Sequence, residues 1–336
     1  MKDKLQILQI REKVVDAIRA FLKKEKFLEV TTPILVPALP IESYIEIFET
    51  TLLDRQRRPS TRYLTTSPEV ALKKLLCQGV GSCFEITKSF RNTETQSLTH
   101  NPEFTILEWY RVNADYTDVM KDCENMILAI NKKINPHNPF ILSYQIPNTK
   151  YKIQLDLTPP WPRISIKDAC QKFAHYDLDA AFDFSAMKKI FLAKGYQFEK
   201  NTTWEEMFDQ IYINEIETEI KKINRPVILY DFPAAMGALA KKKKNNPNYV
   251  ERFEFYIAGM ELGDAYSELQ DANEQEARFK NEMKEIKRKG KTEYKTDWEF
   301  IKALKSPGLP RCSGIAVGVD RLVMLFADCA SIQDVL

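Results

Sequence analysis

The stretch SFRNTETQSLTHNPEFTILEWYR, residues 89–111, constrains this chain more than any other. It reads as a β-hairpin, with strands over 82–91 and 103–112 joined by the polar loop 92–101. Strand side chains alternate between faces, which puts Phe104, Ile106, Glu108 and Tyr110 on one side. Glutamate is depleted in strands, and an inward carboxylate costs roughly several kcal/mol unless it is paired. A hairpin formed only for packing keeps charge off its inner face, so this one needs a partner for Glu108.

A later run, ERFEFYIAGMELGDAYSEL, reads as two strands around Gly259. Asp264, Tyr266 and Glu268 share a face there, and Glu261 precedes them across a bulge expected at Gly263. Two strands that both present carboxylates inward make a pocket for a cation. An alkylammonium suits Glu108 and Glu268 with a tyrosine hydroxyl, whereas a divalent metal suits Glu254 and Glu261. Arg91 closes the first hairpin strand, where its guanidinium can grip an oxyanion in two places. Phe104 offers a ring to stack on a flat base. Gly314 and Gly318 allow close backbone approach, and Arg321 falls on the first helical turn after them. Together these parts suggest ATP and an amine-bearing substrate. Singly they also fit blander roles: Arg91 with Glu94 as a surface ion pair, His100 as a loop cap, Glu108 and Glu268 paired with lysines at a sheet edge.

The rest of the chain frames these segments. Helical spacing predicts a helix over 5–25, a β-rich run in FLEVTTPIL, and a helix from Ser67-Pro68-Glu69 to Gly79. Further helices are expected over 115–133, over 166–224 with a break at Gly195, and over 273–305. Residues 136–165 read as proline-rich connection with short β-like pieces. RPVILYDFP reads as a strand, and CSGIAVGVDRLVMLFAD as a strand, a glycine turn and a helix. The run Lys241–Lys244 reads as a solvated loop suited to steering an acidic partner. The six cysteines show no metal-ligand spacing and are expected to be reduced and buried. Net charge is +2, which gives no overall basic field for wrapping nucleic acid. No run reaches membrane-spanning length, and the expected setting is the cytoplasm. The pattern implies a single α+β domain over 1–336.

Taken together, these segments resemble the catalytic domain of class II aminoacyl-tRNA synthetases, in particular the lysyl branch. That fold is an antiparallel sheet flanked by helices. The first helix with FLEVTTP resembles motif 1, the dimer-forming element. FRNTETQSLTHNPEFTILEWY resembles motif 2, and GIAVGVDRL resembles motif 3. The similarity covers nearly the whole chain and is weakest over about 135–225, an insertion-like helical region.

The resemblance implies roles for individual residues. Arg91 would hold the α-phosphate during attack, with His100 and Arg321 near the γ-phosphate; Arg91 and Arg321 are the catalytic pair. Phe104 and Arg321 would sandwich adenine, Leu262 would offer backbone to the ribose, and Asn92, Glu94, Asn101 and Gly318 complete the ATP set. Glu254 and Glu261 would hold Mg²⁺. Glu69 would bind the substrate's backbone amine, and Glu108, Tyr110 and Glu268 its side-chain amine, with Ser67, Gly263 and Asp264 beside them. The sequence departs from the family where Thr93 replaces a glutamate, where the motif 2 loop has one extra residue, and where Asp264-Ala265-Tyr266 replaces Asn-Gly-Phe. The last departure leaves the amino-acid substrate open.

Lysyl-tRNA synthetases carry an anticodon-binding OB-fold before motif 1, whereas here motif 1 starts within the first turns. On that ground the chain is similar to the PoxA/GenX group, which attach lysine or β-lysine to a lysine of elongation factor P. SPE (67–69) and CSG (312–314) also look like that group. The expectation is therefore a homodimeric ATP-dependent ligase whose partner is elongation factor P and not tRNA. The alternatives are a truncated lysyl-tRNA synthetase paralogue charging tRNA or another carrier, and a catalytically dead paralogue that binds an amino acid or nucleotide.

Overall fold

In the computed structural model, residues 3–336 are described except 96, 146–151 and 238. An eight-stranded sheet organises the molecule. Its strands, in chain order, are β1 (Leu28–Glu29), β2 (Cys83–Phe90), β3 (Glu103–Val112), β4 (Arg163–Ser165), β5 (Val227–Tyr230), β6 (Arg252–Ile257), β7 (Met260–Ser267) and β8 (Cys312–Gly318). They lie side by side as β1-β2-β3-β8-β7-β6-β5-β4. The outermost pairs, β1–β2 and β4–β5, are parallel and the remaining pairs antiparallel.

Register sorts the side chains onto two faces. Glu108, Ala316, Asp264 and Glu254 form one cross-strand row, and Tyr110, Gly314, Tyr266 and Arg252 form the row two residues along. Directly opposed residues share a face, as do residues two apart, so all of these except the glycine project from one side. The alternate residues Leu107, Trp109, Ile315, Val317, Phe253 and Phe255 project from the other side into the main apolar core. Helix Lys4–Lys24 closes that core with Ile7, Val14, Ile18 and Leu22, one stripe at helical spacing. Asp3 starts it with a reciprocal cap to Gln6.

The polar face is covered only at its two ends. Helices of the 166–220 region bring Phe191, Phe208 and Ile216 onto Val227, Leu229 and Tyr256. Helices Glu69–Cys77, Ala272–Arg288 and Trp298–Lys305 bring Leu76, Phe279 and Phe300 onto Tyr110 and Cys312. Between the two helical covers the sheet lies open.

Several segments differ from the sequence expectation. FLEVTTPIL pairs only through Leu28–Glu29 and Leu35–Val36. Pro33 has no N–H to give a ladder, and the Thr32 N–H and hydroxyl each donate to the Glu85 carboxylate at 2.8 Å. The 166–224 region divides into helices Ile166–Phe173, Phe184–Ala193, Trp204–Ile211 and Glu217–Ile220. Gly195 does stop one of them at φ +84, but Asp183 and Thr203 each cap a fresh start. The 273–305 region divides likewise, because Gly290 takes φ +63 and Asp297 caps Trp298–Lys305. Lys241–Lys244 does lie in an irregular, partly exposed segment, but three of its lysines are paired: Lys241 with Glu251 at 3.2 Å, Lys242 with Glu274 at 3.1 Å, and Lys243 with Asp231. All six cysteines are free and buried. Among the described residues no helix is long and apolar enough to cross a membrane.

Candidate active site

The uncovered part of the sheet floors a cavity of about 760 Å³. Every site residue expected from the sequence lines it except Asn92 and Glu254. Asn92 instead clamps the motif 2 loop: its N–H donates to Glu46 at 2.8 Å and its Oδ1 accepts from the Thr93 N–H at 2.9 Å. That contact holds Thr93 at φ +65, a costly conformation for a β-branched residue. Gly263 lines the cavity through its backbone. A Cβ there would point away, to 2.6 Å from the Phe255 ring in the core, so its missing side chain makes no room for substrate.

One end of the cavity is acidic. Helix Glu69–Cys77 starts where the Ser67 hydroxyl accepts the Glu69 N–H at 3.1 Å, which aims the Glu69 carboxylate over the sheet. There it accepts the Tyr266 hydroxyl at 2.6 Å. Tyr110 donates to Glu108 at 3.3 Å. Lys73, one helical turn beyond Glu69, is fully buried, with Nζ 2.5 Å from Glu69 and 2.5 Å from Glu268. Among the described residues nothing donates a hydrogen bond to Glu268 Oε1, although it is buried. Gly314 makes this corner possible: a Cβ there would stand 2.3 Å from the Tyr110 ring and 2.8 Å from Glu268 Oε1. Burial pushes the Glu268 carboxyl up to about 8, against the pull of Lys73, and lifts Glu108 well above the carboxylate range. Burial alone lowers the Lys73 amine, but Glu268 and Glu69 outweigh it and hold the ammonium raised.

The other end is basic. The Arg91 guanidinium lies over the Phe104 ring, 5.3 Å from its centre, and stands 3.7 Å from Glu94. Its Nε is buried and finds no acceptor among the described residues, which fits a guanidinium set to meet an anion. Arg321 reaches back from the start of helix Val319–Ala327 to donate to the Thr99 carbonyl at 3.1 Å, the Glu261 carbonyl at 2.9 Å and His100 Nε2 at 2.7 Å. Burial and the Arg321 charge lower His100, so the neutral ring accepts at Nε2, and Ser97 meets its Nδ1 at 2.8 Å. Asn101 is fixed beside them by Gln333, at 3.0 Å. Gly318 ends β8 under Arg321.

Glu261 reaches this face through a bulge. Phe255 opposes Gly263 but Tyr256 opposes Glu261, which leaves Leu262 as the extra residue, one position before the expected site. The slip moves the odd-numbered Glu261 onto the face of the even-numbered Asp264, Tyr266 and Glu268. Glu261 is open to the cavity, with its side chain 41% exposed. Glu254 is not: Oε1 accepts from Arg252 at 2.7 Å, and Oε2 accepts the hydroxyls of Tyr212 at 3.0 Å and Tyr256 at 2.5 Å. Among the described residues no three carboxylate, histidine or cysteine side chains could hold a metal together. The arrangement suits a Mg²⁺ carried in by a triphosphate, with Glu261 as its protein ligand, because Mg²⁺ is satisfied by one or two carboxylates plus phosphate oxygens.

Two side chains that hold the carboxylates of this face escaped the sequence reading. Lys73 follows Glu69 at i,i+4, the spacing that puts a Glu–Lys pair on one helix face, and that spacing was the available signal. Arg252 shares a strand face with Glu254 and donates to Asp264 at 2.8 Å. Asp264 is therefore already paired and is not a bare carboxylate facing the substrate.

An antiparallel sheet that carries an arginine–aromatic hairpin, a terminal glycine–arginine helix start and a carboxylate pocket defines a class II synthetase catalytic domain. The chain belongs to that family: the family of class II tRNA synthetases (D, K and N) matches it over residues 1–336. It is similar to the lysine–tRNA ligase of Chloroflexus aurantiacus, 33% identical over 341 residues, which cover 100% of this chain and 65% of that one. It is also similar to those of Clostridium perfringens (35% over 338 residues, 97% of this chain and 62% of that one) and Dehalococcoides mccartyi (35% over 338 residues, 99% and 64%). The chain thus spans less than two thirds of the length of these relatives.

Proposed function

We propose that this protein activates a lysine-like amino acid with Mg·ATP and passes the aminoacyl group to the ε-amine of a lysine on elongation factor P. The observation that carries the first step is the joining, in one cavity, of a buried carboxylate pocket and an arginine-lined end. Glu268, Glu108 and Tyr110 take the side-chain ammonium and Glu69 the backbone amine, which leaves the substrate carboxylate facing Arg91. A carboxylate oxygen then attacks the α-phosphorus, the bond to the β-bridging oxygen breaks, and pyrophosphate leaves. Arg91 and Arg321 meet the charge on the phosphates. Positioning and charge stabilisation suffice, with no proton transfer in this step.

In the second step an amine attacks the acyl carbon and AMP leaves. An amine acceptor is supported by the further carboxylates that line the cavity, Glu42, Glu205, Glu206, Asp209, Glu282 and Glu285, with Arg288 and Lys289 among them. A carboxylate-rich lining attracts an ammonium and repels a phosphate backbone. The second reading, tRNA as acceptor, is favoured by the names of the relatives. ATP–pyrophosphate exchange with a panel of amino acids tests activation. Labelled lysine or β-lysine, offered to elongation factor P and to total tRNA in parallel, tests the acceptor; label in tRNA alone establishes the second reading.

A further inference from the structure

We propose that Lys73 is a positioning residue, a resident cation that fixes Glu69 and Glu268 and sets how many positive charges the substrate must bring. The proposal rests on the activation reading above and concerns how that site selects its substrate class. Three carboxylates meet at this end of the cavity, from Glu69, Glu108 and Glu268, and Lys73 supplies a single ammonium among them. Burial favours the protonated form of Glu108 and Glu268 in the empty pocket, so two carboxyls remain that can each give up a proton to meet an ammonium, which suits a substrate with two amino groups and disfavours one with a single amine.

The geometry assigns each oxygen. Lys73 Nζ is 2.5 Å from Glu69 Oε1 and 2.5 Å from Glu268 Oε2. Both Glu268 oxygens are buried without a hydrogen-bond donor among the described residues, and with the Lys73 ammonium against Oε2 it is Oε1 that is left for the incoming ammonium. The rings of Tyr266 and Tyr110 lie 5.2 Å and 5.9 Å from Nζ, close enough to favour a cation and to hold it in place. Lys73 itself is 1% exposed, so it neither exchanges partners with solvent nor moves aside readily. The titratable groups that face it are Glu69 and Cys77 of its own helix, Glu108 and Tyr110 of β3, Tyr266 and Glu268 of the β7 segment, and Cys312 of β8. Both cysteines are held protonated by burial, so the balance lies between the ammonium and the three carboxylates.

Without the ammonium, Glu268 and Glu69 repel each other across the gap, and the pocket takes up a proton instead of substrate. Lys73→Met keeps most of the stem volume and removes the charge. Its expected effects are a rise of about tenfold or more in KM for lysine at neutral pH, an ATP KM within about twofold of wild type, and an acid limb of the exchange profile moved to higher pH. Lys73→Ala opens a cavity and tests the charge directly: n-propylammonium should restore exchange at least about tenfold better than n-propanol of similar size. Rescue by the alcohol as effective as by the amine, or a folded Lys73→Met with wild-type lysine KM and acid limb, would overturn the proposal while leaving the activation reading intact. A wild-type protein without any amine-dependent exchange would overturn both.

Discussion

At the scale of single residues, the carboxylates that matter were legible because strands forbid them without cause. Glu108 and Glu268 stood out against a period of two, and Arg91 and Arg321 against glycine or aromatic neighbours. Their partners were not legible. Lys73 lies in a helix where Glu–Lys pairs are ordinary, and Arg252 reads as one more charge in a charged segment; only the tertiary register puts them among the carboxylates. Glu268→Gln should test the pocket. Neutralising one member of a buried charge cluster costs on the order of 2–5 kcal/mol. We therefore expect lysine-dependent pyrophosphate exchange to fall by roughly 30-fold or more while ATP affinity stays within a few-fold. Exchange that survives unchanged would move the ammonium site elsewhere.

At the scale of elements, the hairpin emerged almost as expected, Cys83–Phe90 with Glu103–Val112, because alternation and a polar loop specify it locally. The helical regions were right in kind but too long, since cap residues such as Thr203 and Asp297 act within a few residues and their effect is hidden by apolar periodicity on either side. The packing of β8 against β3 and β7 supplies a prediction of its own. Gly314 lies opposite both Tyr110 and Tyr266, and Gly314→Ala would drive a methyl into the Tyr110 ring. Overpacking of this kind costs about 1–3 kcal/mol. Denaturant titration should show that loss, and lysine KM should rise more than ATP KM because Glu268 and Tyr110 are the atoms displaced. Equal effects on both substrates would mean that the strand is disturbed as a whole.

At the scale of the whole molecule, the cavity should set the pH dependence of stability. Burial raises the carboxyls of Asp209 to about 6, Glu42 to about 7 and Glu268 to about 8. Between the ordinary carboxylate value and the raised one, the folded protein holds a proton that the unfolded chain has released. The stability these groups contribute is therefore fully present below about pH 4 and is lost as pH rises through about 6 to 8. Thermal unfolding of the ligand-free protein should show Tm declining over that window, with a shallower decline in Asp209→Asn; a Tm that climbs steadily from pH 5 to pH 8 would contradict the assignment. Assembly is the other prediction at this scale. Leu5 and Leu8 of the first helix are exposed, as are Leu28 and Leu35 at the short strands. We expect a twofold dimer through this surface, as two-fold pairing is the commonest assembly. Sedimentation should then show wild type as a dimer and Leu8→Glu shifted to monomer.

The bulge at Leu262 also governs which changes of chain length this domain can survive. Between Phe255 and Gly263 the chain counts one residue more on β7 than on β6, and that odd count alone brings Glu261 round to the cavity. One residue added to β6 opposite Leu262 would restore a regular ladder that hydrogen-bonds well, yet it would turn Glu261, together with Tyr256, toward the hydrocarbon of the opposite face. The Ala258–Gly259 turn, where both residues take positive φ, is by contrast a place where residues can be added without altering the parity of either strand. Drift in this family should therefore lengthen the tip of the hairpin freely while leaving the mismatch in count behind it untouched, and a homologue that has gained a residue in β6 opposite the bulge should turn the Glu261 position away from the cavity.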